Sequence, residues 1–349
     1  MAAACITLLY SRIDLAAELY DDELFDHRRY EDLINQHRRP FIVLNATNIG
    51  TGTRFQFTQD QFDLIGSDLG PYAVARAVAA SSAFPFLLSP LTLQNYQPLE
   101  GFTAPRDYRN GLKDYDTNRT RYFWSQSQLD YVDKPHPYVH LMDGGLADNI
   151  GLRWVINAYE QSSGFINQHL PDIERLAIIA VNARTLPPDA ISDSRRTPHI
   201  IPTVVVATAT ISLDNYSLDT LNLADQLKTT LEQVQRDSLQ CPTCPPFPAP
   251  VPYVVEISFQ AIKDPQVREA FYGISTSFHL PDEQVKALIS MGCNLLREHA
   301  SFRCLIEDLE REAAGRHEKR SACYERNQDF HPRALEQIVC PAQGPWPGQ

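Results

Sequence analysis

The segment Met142-Asp-Gly-Gly-Leu-Ala-Asp-Asn149 holds the most chemistry for its length. Asp143 follows the short run Tyr138-Val-His-Leu-Met142 and precedes Gly144 and Gly145, which let a backbone turn sharply. A carboxylate leaving the end of a buried strand stands where α/β sheets present reacting groups. Asp-Gly-Gly is also a common tight turn, so the segment alone leaves both readings open. Asp148 is the competing carboxylate, and its place just ahead of a helix beginning near Ile150 gives it a capping role. Ser81 and Ser82 end an alanine-rich run. Small residues there permit close helix packing, and a hydroxyl acts as a nucleophile only beside a base and oxyanion donors. His136 and His140 have His-x3-His spacing, but Pro135 and Pro137 prevent the helix that would align them on a metal. Strand alternation also points His140 away from Asp143. Cys241-Pro-Thr-Cys244 is a lone CxxC in a proline-rich loop, without the second pair that a zinc ribbon needs.

These residues need a scaffold, and the hydrophobic spacing describes an α/β one in which strands and helices interleave. Ile13, Leu15, Leu19, Leu24, Leu33 and Ile34 recur at helical spacing. Residues 40–47 read as a short buried strand running into the loop Asn48-Ile-Gly-Thr-Gly52. Phe55 and Phe57 alternate with polar residues, as do Phe62 and Leu64, which predicts a hairpin turning at Gln59-Asp60. After Gly70-Pro71, residues 72–80 predict a helix with Ala73, Val74, Ala77 and Val78 on one face, ended by Pro85. From 94 to 137 apolar periodicity fades while aromatic residues accumulate, the pattern of an irregular cover or insertion. Residues 138–142 predict a second strand, and Leu152, Val155, Ile156 and Tyr159 a helix. The nearly all-apolar run 176–181 predicts a strand covered on both faces. A helix over 213–234, a strand over 253–259 with one wetter face, and a long helix over 285–309 follow. The organisation expected is one domain over residues 1–315 and a polar, weakly ordered tail over 316–349.

Three segments taken in order, Asn45-Ala-Thr-Asn-Ile-Gly-Thr-Gly52, Ala73-Val-Ala-Arg-Ala-Val-Ala-Ala-Ser-Ser-Ala-Phe-Pro85 and Leu141-Met-Asp-Gly-Gly-Leu-Ala-Asp-Asn149, resemble the patatin-like phospholipase family. The resemblance is clear over residues 40–153 and fainter to about 309. It implies a patatin-like layered sheet flanked by helices, and a Ser-Asp dyad that hydrolyses lipid or phospholipid esters without metal or organic cofactor. Asp143 matches the family's general base and Gly144 and Gly145 its motif turn, with Asn45, Thr47, Ser81 and Ser82 flanking the site. The family's Gly-x-Ser-x-Gly serine and its glycine-rich oxyanion loop have no counterpart. Gly66-Ser-Asp-Leu-Gly70 has its serine one position early, Gly273-Ile-Ser-Thr-Ser277 lacks the second glycine, and residues 1–49 contain no glycine. The resemblance thus describes an N-terminally truncated domain, a base without its nucleophile and inactive alone. The alternative is a non-catalytic pseudoenzyme that binds lipid or protein on the same fold.

Composition narrows the partners. Among 349 residues, 43 acidic against 31 basic side chains give a net charge of -12, which argues against a nucleic-acid partner. The 43% hydrophobic content is that of a folded chain rather than a disordered one. No apolar run approaches the roughly 18 residues of a membrane-crossing helix. Residues 2–10 lack the basic flank of a signal peptide, so no location is assigned. The expected partners are a lipid or acyl-ester substrate, a membrane surface met peripherally through the aromatic stretch 94–137, and an N-terminal fragment or a second copy. Seven cysteines, an odd number in a long chain, do not describe a disulfide framework.

Overall fold

Phe-, Ala- and Leu-rich segments up to Gly151 bury their side chains among one another, and most later segments do the same separately. The computed structural model accordingly divides into two compact units, Met1–Gly151 with His199–Ser217, and Leu152–Pro198 with Leu218–Gln349. It describes residues 11–35, 40–85, 87–160, 173–184, 195, 205–240, 249–275, 277, 279–315, 335 and 338–341.

The first unit begins with α1 (Arg12–Tyr20), continued by a π-helical turn over Asp21–Phe25, and α2 (Tyr30–Asn35). Asp14 closes the start of α1 by accepting from Ser11 N at 3.0 Å and Ser11 Oγ at 2.8 Å. Of the expected apolar stripe only part turns inward: Ile13 and Ala17 are buried, whereas Leu15, Leu19 and Leu24 face out. A four-stranded sheet follows, of β1 (Asn45–Asn48), β2 (Thr53–Gln56), β3 (Leu91–Gln94) and β4 (Tyr138–Asp143), in the order β2-β1-β4-β3 with every neighbour antiparallel. Its helices are α3 (Gln59–Leu64), α4 (Val74–Ser81), α5 (Arg106–Gly111), α6 (Arg119–Asp133) and α7 (Gly145–Asp148).

Three expectations for this unit need correction. The strand expected over 40–47 is paired only from Asn45, and Phe41 and Ile42 stand exposed. The hairpin turns at residues 49–52 rather than at Gln59-Asp60, because Thr58 accepts from Gln61 N and starts α3 there. Phe62 then meets Phe55, Phe57 and Tyr72 edge-on or tilted, while Arg54 and Gln56, on the face expected to be wet, are buried as well. About half of the stretch 94–137 is helical. Asn118 caps α6 by accepting from Arg121 N at 3.0 Å, and the face it buries carries Ser125, Ser127 and Gln128 beside Leu129 and Tyr131. A helix with so polar a buried face leaves no apolar periodicity to read.

The second unit holds α8 (Arg153–Glu160), β5 (Arg175–Asn182), α9 (Val205–Gln240), β6 (Val251–Ser258), α10 (Pro265–Tyr272), α11 (Asp282–Glu298) and α12 (Ala300–Ala313), with α9 belonging to the first unit up to Ser217. β5 and β6 pair in parallel from Arg175↔Val251 to Asn182↔Ser258. Ile156, Ile178, Ala224, Leu227 and Leu231 form one core; Tyr253, Val255, Phe302 and Leu305 form another. β5 is covered on one face only: Ile178 and Ala180 are buried, but Ile179 is 44% and Val181 67% exposed. The expected long helix breaks at His299, whose backbone is extended (ψ 124°) and whose Nδ1 accepts from Ser301 N to cap α12. Neither glycine nor proline marks that break.

Of the segment expected to be a loose tail, residues 335 and 338–341 are described, and they pack on the second unit. Leu335 is buried with Tyr253, Pro341 O accepts from Ser290 Oγ at 3.1 Å, and Cys340 forms a disulfide with Cys293 of α11. Cys304 is disulfide-bonded too, so the parity argument against disulfides fails. Cys241 and Cys244 lie outside the described residues. The bridge closes a separation of 47 residues, and a loop of that size is worth about 2–4 kcal/mol through the unfolded chain. The Cys293→Ser, Cys340→Ser double variant is expected to lose about that much stability in chemical denaturation. A change within about 0.5 kcal/mol, the range of an ordinary surface substitution, would contradict the bridge.

Candidate functional site

β4 delivers Asp143 to the sheet end. Its ladder to β3 stops at Leu141↔Leu91, while its pairing with β1 continues to Asp143↔Ala46. Beyond Leu141 the backbone donors find α4 instead. Asp143 N donates to Ala83 O at 3.0 Å and Gly144 N to Ser81 O at 3.2 Å. From the other side Thr47 Oγ1, buried, donates to Asp143 O at 2.8 Å. The three segments singled out in the sequence therefore meet at one residue, through backbone groups.

Gly144 explains how they come so close. Its backbone is ordinary right-handed helix (φ -63°, ψ -27°), so the glycine does not serve conformational freedom as a tight-turn reading expects. A Cβ there would lie 2.2 Å from Asn45 O, a backbone atom that cannot swing aside. The residue is glycine because β1 passes against it. At Gly145 a Cβ would meet Leu213 Cδ2 at 2.5 Å and Asp143 Oδ1 at 2.9 Å, and its N–H donates to that same Oδ1 at 2.8 Å.

Burial pushes the Asp143 carboxyl above the ordinary aspartate range, and the Gly145 N–H pulls it back only in part. Among the described residues no donor reaches Oδ2. The result is a half-dry carboxylate with one oxygen oriented and the other open, the state a general base needs before it accepts a proton. Asn45 Oδ1, beside the turn, is buried with no donor among the described residues. A buried acceptor of this kind calls for a partner.

The far end of the turn is held by charge. Asp148 is buried, accepts from Gly151 N at 3.2 Å, and lies 3.6 Å from Arg54 Nη1, itself buried in β2. The Arg54 guanidinium lies over the Trp124 ring at 4.5 Å. Asp148 thus closes the loop ahead of α8 and anchors it to β2, more than the capping role expected of it. Asn149 Nδ2 donates to Ser217 Oγ at 3.0 Å. Arg54, Trp124 and Asn149 escaped the sequence reading. The one signal was an arginine inside an aromatic strand, which wants an anion when buried.

The remaining candidates stay apart from Asp143. Ser82 Oγ donates to Ala79 O at 3.2 Å, and among the described residues no serine hydroxyl bonds to Asp143. His140 Nδ1 lies 3.0 Å from Thr92 Oγ1, and His136 and His140 line a cavity of about 410 Å³ at the opposite end of β4. There Asn48 Nδ2 donates to Tyr131 Oη at 2.9 Å, and burial pushes the Tyr131 hydroxyl up to about 12. Among the described residues no group of three His, Cys, Asp or Glu side chains could hold a metal ion.

The tight approach at Gly144 gives a direct check. Gly144→Ala is expected to cost about 1–3 kcal/mol in a denaturation experiment, since backbone must move. Gly292→Ala, inside α11 with nothing within 4 Å of its Cβ, is expected to gain about 0.5–1 kcal/mol. Equal effects would contradict the close packing.

No family model, no curated protein and no solved structure matches this chain.

Proposed function

We propose that this chain carries the general-base part of a patatin-like serine acyl hydrolase acting on lipid or phospholipid esters. The observation that carries the reading is the Asp143 carboxyl at the strand end: desolvated, oriented through Oδ1 by Gly145 N, and open at Oδ2. The order of the three motif segments and their convergence on Asp143 support it. In this reading Asp143 takes the proton of an attacking serine and returns it to the leaving alkoxide, and water then repeats the cycle on the acyl-enzyme. The serine and the backbone donors for the oxyanion come from a Gly-x-Ser-x-Gly elbow and a glycine-rich loop that this sequence does not contain. In this reading a segment outside these residues supplies them, and these residues alone are inactive. The orphan Asn45 Oδ1 fits a site that awaits a further segment.

A second reading, a non-catalytic pseudoenzyme that binds lipid or protein, is favoured by one fact: no described serine hydroxyl approaches Asp143.

A chimera separates the two. The strand–elbow–helix segment of a patatin-like phospholipase is fused ahead of Pro40, and p-nitrophenyl butyrate turnover is measured. Turnover that falls about 10²–10⁴-fold on Asp143→Asn is expected, with an acid limb displaced above the usual aspartate range. The unmodified chain should take no fluorophosphonate label. A labelled serine in it, lost on Asp143→Asn, would overturn the missing-nucleophile reading, and a folded but inert chimera would favour the pseudoenzyme.

A further inference from the structure

The stretch expected to be irregular presents an ordered aromatic cluster. Tyr115, in the turn between α5 and α6, meets Tyr122 with ring centroids 5.1 Å apart and Phe123 at 6.3 Å, and Tyr122 meets Phe123 at 5.2 Å. All three contacts are edge-to-face, so the rings hold one another in place. Two of them are nonetheless not covered: Phe123 is 56% and Tyr115 46% exposed, Tyr122 is half-buried, and Leu112, three residues before Tyr115, is exposed too. Among the described residues no other element shields them.

The charges around the cluster are sorted. Arg121 takes both Asp107 and Asp114 at 2.7 Å, and Arg109 takes Asp133. Arg106, Lys113 and Arg119, all exposed, make no ion pair among the described residues, and Arg119 lies over the Tyr115 ring at 5.3 Å. Residues 106–134 hold six basic side chains against five acidic ones, most of the acids being partners of Arg109, Arg121 and Lys134, within a chain of net charge -12. The rings therefore sit beside three cations unpaired among the described residues and one exposed acid, Asp116, on an otherwise acidic protein.

We infer that the α5–α6 hairpin docks this protein on a lipid surface carrying anionic headgroups, with Tyr115, Tyr122 and Phe123 entering the headgroup region. Tyrosine and phenylalanine suit that boundary, where a ring meets acyl chains and a hydroxyl meets water. Lys113, Arg106 and Arg119 meet the lipid phosphates. A protein partner fits less well. With about half of Tyr115 and Phe123 exposed, the cluster offers roughly 200–300 Å², against about 800 Å² per partner in a stable interface. The inference rests on the acyl-ester reading only for its link to the site. Phe123 adjoins Trp124, which covers Arg54, the partner of Asp148 in the turn that begins at Asp143.

Sedimentation of the full chain with vesicles tests docking without turnover, so its failure is distinct from failure of the hydrolase reading. Phosphatidylcholine vesicles and vesicles with 30% phosphatidylglycerol are compared at about 0.1 M salt, where surface charge is still felt within roughly 10 Å. Expected is partition at least tenfold stronger onto the anionic vesicles. It should fall at least tenfold in the Tyr115→Ser, Phe123→Ser variant, and Lys113→Gln with Arg119→Gln should remove the preference for phosphatidylglycerol. No partition, equal partition onto both vesicles, or partition unchanged by the ring variant overturns the inference. So does a dimer in sedimentation velocity that Phe123→Ser dissociates, which would assign the cluster to a second copy.

Discussion

The backbone junction at Asp143-Gly144 is the constraint on which the candidate site depends. Two N–H groups that have left the sheet ladder are accepted by the end of α4, and β1 runs so close that no side chain fits at Gly144. Buried backbone donors must be paired, so the strand end cannot drift without leaving them unsatisfied. The strand end is thus set by main chain, with Thr47 Oγ1 holding the Asp143 carbonyl and Gly145 N orienting the carboxylate. That rigidity is what lets a partly dry carboxylate stay ionisable in one place rather than swing out to water.

Around this junction the first unit spends unusual polar burial. Arg54 and Asp148 are a charge pair away from solvent, which is costly unless well surrounded, and Trp124 supplies the ring face above the guanidinium. The pair ties β2 to the far end of the turn and, through Trp124, ties α6 to both. The helical hairpin that carries the exposed rings is therefore mechanically continuous with the turn.

How much of this could be read from residue order depends on which force set each piece. Short apolar runs and the alanine-rich helix were readable because burial of apolar side chains dictates them: β4, α4, α8 and the core of α9 fall where the spacing puts them. The junction was readable only as three separate segments, since backbone-to-backbone contact leaves no trace beyond a glycine. That glycine does stand in the turn, but its φ is ordinary and the close Asn45 O is what excludes a side chain there. α6 was invisible because its buried face is serine and glutamine, and α3 was mistaken for a strand because Phe62 and Leu64 alternate locally while the Thr58 cap decides otherwise. Cysteine parity misled for a simpler reason. Cys340 reaches Cys293 across a polar sequence whose tertiary return no local pattern announces.

The central claim is that the strand end presents a desolvated carboxylate ready to take a proton. Carbon-13 NMR titration of labelled aspartate, with Asp143→Asn supplying the assignment, measures this on the chain as it is. The account predicts that Asp143 titrates with a midpoint above the 3.8 of an ordinary aspartate, because burial outweighs the single Gly145 hydrogen bond. A midpoint at or below 3.8 would mean that the carboxylate is already solvated or stabilised by a charge, and would contradict the proposed role as a poised base.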